Sequence, residues 1–256
     1  MKNLIESANS FLFALVNMRY VRIFSVLTAF MLVLDFYPIE PYDQFHNFSW
    51  LAPWQGLAIT PAYRGILLLL IICFTIGWRG RVTGLSLAAL LFPLIFVAYT
   101  PTSRQVLVIV LICLALLHGG ISSAPLPIWP LRLIQLQLSI VYGVNALAKA
   151  SPPYLNGDIL IAMSMTLHNF LTNLSDGFYH IGPWALPAAL AAQASVVIEG
   201  ALAVGFWFPS LRLLTAVIGI LFHFQLKTIV RIGMLDWTCM FLYLTFLLPF
   251  TKPRGE

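Results

Sequence analysis

The chain has 256 residues, of which 60% are hydrophobic and only 9% are charged, and its mean hydropathy is +0.91. Soluble domains carry about 25% charged residues, so the composition argues against a soluble protein and predicts an all-α, polytopic integral membrane protein. The net charge of +5 comes from basic residues scattered at predicted helix ends, which does not indicate a nucleic-acid partner. The three cysteines form no C-x-x-C pair and no zinc spacing, so we expect no metal site.

The first predicted element is an amphipathic helix within residues 1–18 that rests on the membrane surface. Its apolar face consists of Leu4, Ala8, Phe11, Leu12 and Leu15. The segment has no convincing small-residue cleavage site, so we do not interpret it as a removable signal peptide.

About eight membrane-spanning helices follow, since a span needs about 20 mostly apolar residues. They lie near residues 20–37, 63–78, 82–100, 104–118, 131–149, 185–208, 211–230 and 233–250. No internal repeat is evident, so a single domain over residues 1–256 is the simplest interpretation.

The distribution of basic residues predicts the orientation. With the amino terminus inside, nine of the 14 lysines and arginines fall on the cytoplasmic side. We therefore expect both termini in the cytoplasm of a bacterial membrane, with the loop at 150–184 outside. Its apolar stretch near 155–174 is interrupted by His168 and Asn169, which favours an interfacial or re-entrant helix over a ninth span.

The fifth span carries the most informative residue, Lys149, at the end of an apolar run over residues 131–150. A lysine at the centre of a span costs about 2.5–3.5 kcal/mol on insertion scales. Residues three or four positions apart share a helix face. The face of Lys149 also carries Asn145, Tyr142, Leu138 and Gln135.

Two later spans also contain ionisable residues in their interiors, Glu199 in the sixth and His223 in the seventh. Lys227 lies four residues after His223 and so shares its face. We expect Glu199 to pair with either His223 or Lys149. Such charges either form an ion-pair network that fixes the helix register or line a ligand site.

The order of several short segments resembles the HTTM family, the transmembrane domain shared with vitamin K-dependent γ-carboxylase. The similar segments are 78–81 (WRGR), 131–142 (LRLIQLQLSIVY), 146–149 (ALAK), 154–157 (YLNG), 198–200 (IEG), 220–223 (ILFH) and 232–234 (IGM). No segment is specific alone, and the order and spacing carry the resemblance, which covers most of the chain.

The resemblance implies a fold and a chemistry. In the carboxylases a lysine at the position of Lys149 acts as a base on reduced vitamin K, at a site facing the outside. By this resemblance Lys149 accepts the proton, His223 binds or polarises the substrate and Glu199 holds their orientation. Tyr142, Asn145 and Lys227 are then expected to bind the cofactor, reduced vitamin K or menaquinone.

Two classes of function remain open. The carboxylases that modify proteins carry a large extramembrane carboxy-terminal region that this sequence lacks, so an enzyme of this kind is expected to act on a small or partner-delivered substrate. The alternative is a non-catalytic membrane partner in the maturation or export of a secreted peptide. In this case the chain would resemble the small bacterial members of the family that, together with a partner subunit, help mature the sporulation-delaying toxin.

Overall fold

The computed structural model describes residues 9, 11–36, 60–93, 102–117, 126–160, 182–229 and 235–248. These residues are mostly α-helical, as the sequence predicts, and one short antiparallel strand pair accompanies the helices. The helices are α1 (Met18–Phe36), α2 (Pro61–Ile76), α3 (Gly80–Leu91), α4 (Thr102–Leu117), α5 (Trp129–Lys149), α6 (Pro152–Leu155), α7 (Gly182–Gly205), α8 (Arg212–Ile229), α9 (Leu235–Leu242) and α10 (Leu244–Leu247). The strands are β1 (Leu15–Val16) and β2 (Leu126–Pro127).

Each of the eight predicted spans contains a helix in the described residues, but the helices differ in length from the predicted spans. Within the described residues, two helices are long and apolar enough to cross a membrane, Trp129–Lys149 and Ala188–Gly205. The shorter apolar helices within those residues include Pro61–Ile76, Gly80–Leu91, Arg104–Leu117, Arg212–Leu226 and Trp237–Leu247. The third predicted span, 82–100, runs beyond the described residues after position 93, and most of the loop helix expected near 155–174 also lies outside them.

The last predicted span, 233–250, is divided into α9 and α10 at Tyr243. Backbone hydrogen bonding changes at this residue. Its N–H donates to the carbonyl of Cys239, four residues back, at 3.2 Å, whereas the N–H of Phe246 donates to Tyr243, three residues back, at 3.0 Å. The tightened turn reorients the chain where the Tyr243 side chain makes its buried contacts.

The amino-terminal segment departs from the predicted amphipathic helix. Residues 15 and 16 are extended and pair with residues 126 and 127, with Leu15 opposite Pro127. The prediction that Leu15 continues a helix through residue 18 is therefore wrong, because a tertiary partner supplies backbone hydrogen bonds that a helix would otherwise supply. The N–H of Ile128 extends the pairing to the carbonyl of Ala14 at 2.8 Å.

Arg132, near the start of α5, contacts the amino-terminal segment at Phe11. Its Nε donates to the carbonyl oxygen of Phe11 at 3.3 Å, and its Nη1 donates to Oε1 of Gln135 at 2.8 Å. The guanidinium carbon also lies 4.0 Å from the centre of the Phe11 ring, a cation–π distance. The arginine is thereby buried with its hydrogen-bonding capacity directed at protein groups.

The turn between α2 and α3 is set by the backbone conformation of Gly77. This glycine has φ 79°, which side chains rarely adopt, and the amide of Trp78 closes the helix by donating to Cys73 at 2.9 Å. The start of α2 is capped by Thr60, whose Oγ1 accepts from the amide of Tyr63 at 3.2 Å. Both ends of this helix thus satisfy their exposed backbone groups locally.

The described chain divides into two compact units, residues 1–135 with 248–256, and residues 136–247. The boundary falls within α5. In the first unit α3 packs against both α2 and α4, and α1 packs against α2 and α4. In the second unit α7 packs against α6 and α8, and α8 packs against α9. All the contacts of the candidate site lie in the second unit.

Many large apolar side chains face outward, whereas several polar ones are enclosed. Only 39% and 22% of the apolar windows of α5 and α7 are buried, unlike the core helix of a soluble protein. Outward-facing residues at least 65% exposed include Leu147, Val197, Leu213 and Leu221. Buried polar residues include Gln135, Ser195, Glu199, His223, Thr238 and Thr245. A large exposed apolar surface indicates contact with an apolar phase or a partner.

Gly84 allows the closest approach between α3 and α4. A Cβ at this position would lie 2.8 Å from Cβ of Ala115 and 3.1 Å from the Phe74 ring. We expect Gly84→Ala to force these helices apart and to lower the free energy of unfolding by about 1–3 kcal/mol, as other overpacked sites do. The unfolding midpoint of the purified protein in detergent measures this effect.

Gly65→Ala is the matched control, because no atom lies within 4 Å of a Cβ added at Gly65, on α2. This change should be neutral or stabilise the protein by up to about 1 kcal/mol through helix propensity. Equal midpoints for the two variants would show that the close contact at Gly84 is not tightly packed.

Candidate functional site

The centre of the candidate site is an ion pair between Lys149 and Glu199. Nζ of Lys149, the last residue of α5, donates to Oε1 of Glu199 on α7 at 2.7 Å. The side chain of the lysine is 26% exposed and that of the glutamate 4% exposed. The lysine thus reaches from the edge of the unit to a carboxylate inside it.

The second oxygen of the Glu199 carboxylate, Oε2, is buried and accepts no hydrogen bond from the residues that the structure describes. A carboxylate can accept several hydrogen bonds. A buried acceptor with no partner loses its hydration without compensation, at a cost of about 1–3 kcal/mol.

Tyr154 on α6 forms one wall beside the lysine. Nζ of Lys149 lies 5.5 Å from the centre of the Tyr154 ring. The hydroxyl of Ser195 donates to the carbonyl of Ala192 at 2.9 Å, so the Tyr154 hydroxyl must be the donor in its 2.8 Å hydrogen bond to Ser195 Oγ. Ser195 lies one helical turn from Glu199 on α7, so one face of this helix holds both the carboxylate and the tyrosine.

The turn after α6 fixes the position of that tyrosine. Gly157 has φ 85°, and a Cβ there would lie 2.6 Å from the backbone nitrogen of Ala189. Only glycine allows the turn to approach α7 so closely. The segment YLNG, which contributes to the family resemblance, therefore has a local structural role in holding Tyr154 against α7.

A second polar cluster lies deeper, around Tyr142 of α5. Its hydroxyl forms a 2.5 Å hydrogen bond with Nε2 of His223 on α8 and another with the hydroxyl of Tyr243. A side-chain hydrogen bond also links Tyr142 to Cys239. The aromatic ring of Phe206 packs on Tyr243 with 4.8 Å between ring centres. Helices α5, α7, α8 and α9 thus converge on one tyrosine hydroxyl or its neighbouring rings.

The structure brings the predicted site residues into two groups. Glu199 pairs with Lys149 rather than with His223, which instead contacts Tyr142. Tyr142 and Lys149 are seven residues apart, about 10 Å along the helix axis, and Asn145 lies between them, partly buried. Lys227 belongs to α8, but its side chain lies outside the described part of the chain.

The sequence interpretation missed the contact between Tyr142 and Tyr243. A general signal was present, because a buried tyrosine needs a partner for its hydroxyl. Spacing within one helix could not identify a partner on a different helix.

Metal chemistry has no evident ligand set among the described residues. No group of three or more His, Cys, Asp or Glu side chains there is close enough to hold an ion. His46, His118, His168 and His180 fall outside the described ranges.

Comparison of the chain with protein-family models, with curated proteins and with solved structures finds no match in any of the three. The similarity to the HTTM family therefore rests on the order and spacing of the short segments in the sequence.

The Tyr142 cluster depends on a glycine of α8. A Cβ at Gly219 would lie 2.6 Å from the Tyr243 hydroxyl and 2.7 Å from two carbons of its ring. We expect Gly219→Ala to displace Tyr243 from Tyr142 and to lower the free energy of unfolding by about 1–3 kcal/mol. Thermal unfolding in detergent measures the loss.

Gly200→Ala, on α7, is the comparison variant, because nothing lies within 4 Å of its added Cβ. It should leave the unfolding midpoint unchanged or raise it slightly. If Gly219→Ala is as stable as Gly200→Ala, the tyrosine contact contributes little to the packing of the second unit.

Proposed function

We propose that this chain is a membrane-embedded, carboxylase-like protein of the HTTM family that uses the Lys149–Glu199 pair on a quinol-type apolar cofactor. Its substrate is small or is delivered by a partner subunit. The observation that carries the proposal is the buried carboxylate, which binds a partly exposed lysine through one oxygen and whose other oxygen accepts no hydrogen bond from the described residues.

The proposal includes a membrane location with about eight spans and both termini in the cytoplasm. The outward-facing apolar side chains and the two helices of spanning length support it. So do the enclosed polar side chains, because polar residues in membrane helices turn toward the protein interior. In this orientation Lys149 lies near the outer surface, where a secreted peptide could reach it.

The residues at the pair fit the head group of a quinol. Glu199 Oε2 can accept a hydrogen bond from a phenolic hydroxyl, and the Tyr154 ring beside Lys149 offers an aromatic surface. In the carboxylases that the sequence resembles, the quinol and oxygen together supply the base that removes the γ-proton of a glutamate before carbon dioxide adds.

Together the two charged groups of the pair would accept a proton from the quinol and stabilise the anion that remains. As ammonium and carboxylate the pair has no net charge, so it can exist in apolar surroundings at less cost than either ion alone. The resemblance assigns the proton to Lys149. Tyr142 and His223 bind each other, and in this proposal they hold α5 and α8 in register and position Asn145 near the pair.

Lys149→Ala tests the function directly. With reduced vitamin K or menaquinone, oxygen and bicarbonate, we expect protein in nanodiscs to form quinone epoxide. The variant should form it about 10²–10⁴-fold more slowly, the usual contribution of a general base. Chromatographic detection of the epoxide measures both rates.

Lys252→Ala is the control, because the sequence predicts this lysine to be cytoplasmic and far from the site. It should retain the wild-type rate. An equal rate in Lys149→Ala, or no epoxide from well-folded wild-type protein with either quinol, would contradict the proposed activity.

The non-catalytic alternative, a membrane partner in peptide maturation or export, is favoured by a different aspect of the same contact. Lys149 and Glu199 neutralise each other and join two helices, as expected of an ion pair with a purely structural role. In this case the charge-exchanged variant Lys149→Glu/Glu199→Lys should fold like the wild type, while each single change should lower the unfolding midpoint.

Size-exclusion chromatography and thermal unfolding in detergent distinguish the three variants. Recovery in the double variant together with undiminished secretion of the partner peptide would support the structural role. Recovery of folding without recovery of secretion would instead indicate that the positions of the two charges matter chemically.

A further inference from the structure

We infer that Tyr154 is a positioning residue for Lys149. Its aromatic ring holds the lysine amine beside Glu199 and thereby determines where the amine meets a substrate. The catalytic part of this assignment rests on the proposed function, whereas the contact between the ring and the lysine can be measured without turnover.

The chain reverses direction directly after α5, and a proline determines how it does so. Ser151 is extended, with φ −113° and ψ 147°, a conformation that a following proline favours. Pro152 begins α6, where the missing amide hydrogen of proline costs no helical hydrogen bond. The amide of Tyr154 donates to the carbonyl of Ser151 at 3.0 Å and closes the turn. Tyr154 thus lies beside the end of α5, five residues after Lys149.

The ring of Tyr154 is held in place by contacts that do not involve the lysine. The side chain is buried, and its hydroxyl donates to Oγ of Ser195 on α7 at 2.8 Å. Gly157 brings the following turn against α7, because a Cβ there would lie 2.7 Å from the carbonyl carbon of Ala188. A ring fixed from this side can restrict a more mobile neighbour.

The amine of Lys149 lies between two partners that both depend on α7. Oε1 of Glu199 is 2.7 Å from Nζ, and the centre of the Tyr154 ring is 5.5 Å from it. An ammonium within about 6 Å of a ring centre is attracted by the negative face of the ring. A lysine side chain has many rotamers, and one ion pair leaves several of them possible. The ring, as a second contact, removes part of that freedom.

This restriction matters for the proposed reaction. A proton acceptor must lie within hydrogen-bonding distance of the proton it removes, and a displacement of about 1 Å can cost about 10²-fold in rate. Because Tyr154 acts on the amine rather than on the quinol, loss of its ring should lower kcat and leave the KM for the quinol unchanged.

Tyr154→Phe and Tyr154→Leu form a matched pair of variants. Both lose the hydroxyl, but only phenylalanine keeps the aromatic face. We expect Tyr154→Leu to lower kcat for epoxide formation by about 3–30-fold, the factor that corresponds to loss of a cation–π contact, and Tyr154→Phe to stay within about twofold of the wild type. The phenylalanine variant is tolerated because the Ser195 hydroxyl keeps its own acceptor, the carbonyl of Ala192.

Acetylation of Lys149 by a water-soluble amine reagent supplies a measurement that needs no quinol. Peptide mass spectrometry follows the rate in detergent, and Lys252 of the same chain is the internal reference. We expect Tyr154→Leu to accelerate acetylation of Lys149 by about 3–30-fold, because the amine leaves its fixed position more often, and Tyr154→Phe to leave the rate unchanged. If the leucine variant does not fold, Tyr154→Met replaces it, since methionine fills irregular apolar space without a ring.

The outcomes separate the ring from the hydroxyl and the inference from the proposed function. Equal acceleration of acetylation in both variants would show that the hydrogen bond to Ser195 restricts the lysine, and it would overturn the inference. Unchanged acetylation in both, or a raised KM with unchanged kcat in Tyr154→Leu, would overturn it as well. Absence of epoxide from well-folded wild-type protein, with the expected acetylation rates, would overturn the proposed function alone.

Discussion

The arrangement of this protein depends on one constraint: a polar group enclosed among its apolar helices is costly unless it is paired. Unpaired charges and donors in a low-dielectric interior cost far more than they do in water. Lys149 and Glu199 satisfy the constraint as an ion pair, and Tyr142 satisfies it with His223 and Tyr243. Because the partners lie on different helices, the same contacts also fix how α5, α7, α8 and α9 meet.

A paired charge in such surroundings need not stabilise the fold. Removing both ions in favour of apolar side chains is often neutral or stabilising, whereas removing one leaves a buried charge without compensation. The persistence of Lys149 and Glu199 in a chain with 9% charged residues therefore needs a reason beyond packing. Among the described residues, Oε2 of Glu199 has no hydrogen-bond partner, so the pair is not fully satisfied by the part of the chain that the structure describes.

The positions of the helices and the buried face of α5 could be predicted from the sequence, because both follow from composition and helical spacing. The apolar stretches contain helices wherever the structure describes them, and the face of α5 that carries Gln135, Leu138 and Tyr142 is buried. The extended conformation of Leu15 and the contact of Tyr243 with Tyr142 could not be predicted. Each depends on a residue more than 100 positions away, and helical periodicity contains no information about such partners.

The attachment of the amino-terminal segment has a consequence for how the protein is made. Phe11 and Arg132 are separated by 121 positions, and the strand partners of Leu15 and Val16 are almost as distant. During synthesis residues 11–16 therefore emerge long before the groups that hold them. The four described helices α1–α4 are all synthesised before the residues of β2 and α5 that contact this segment. Contacts of such long range are slow to form, so docking of the amino-terminal segment is expected to be a late step in the assembly of the first unit.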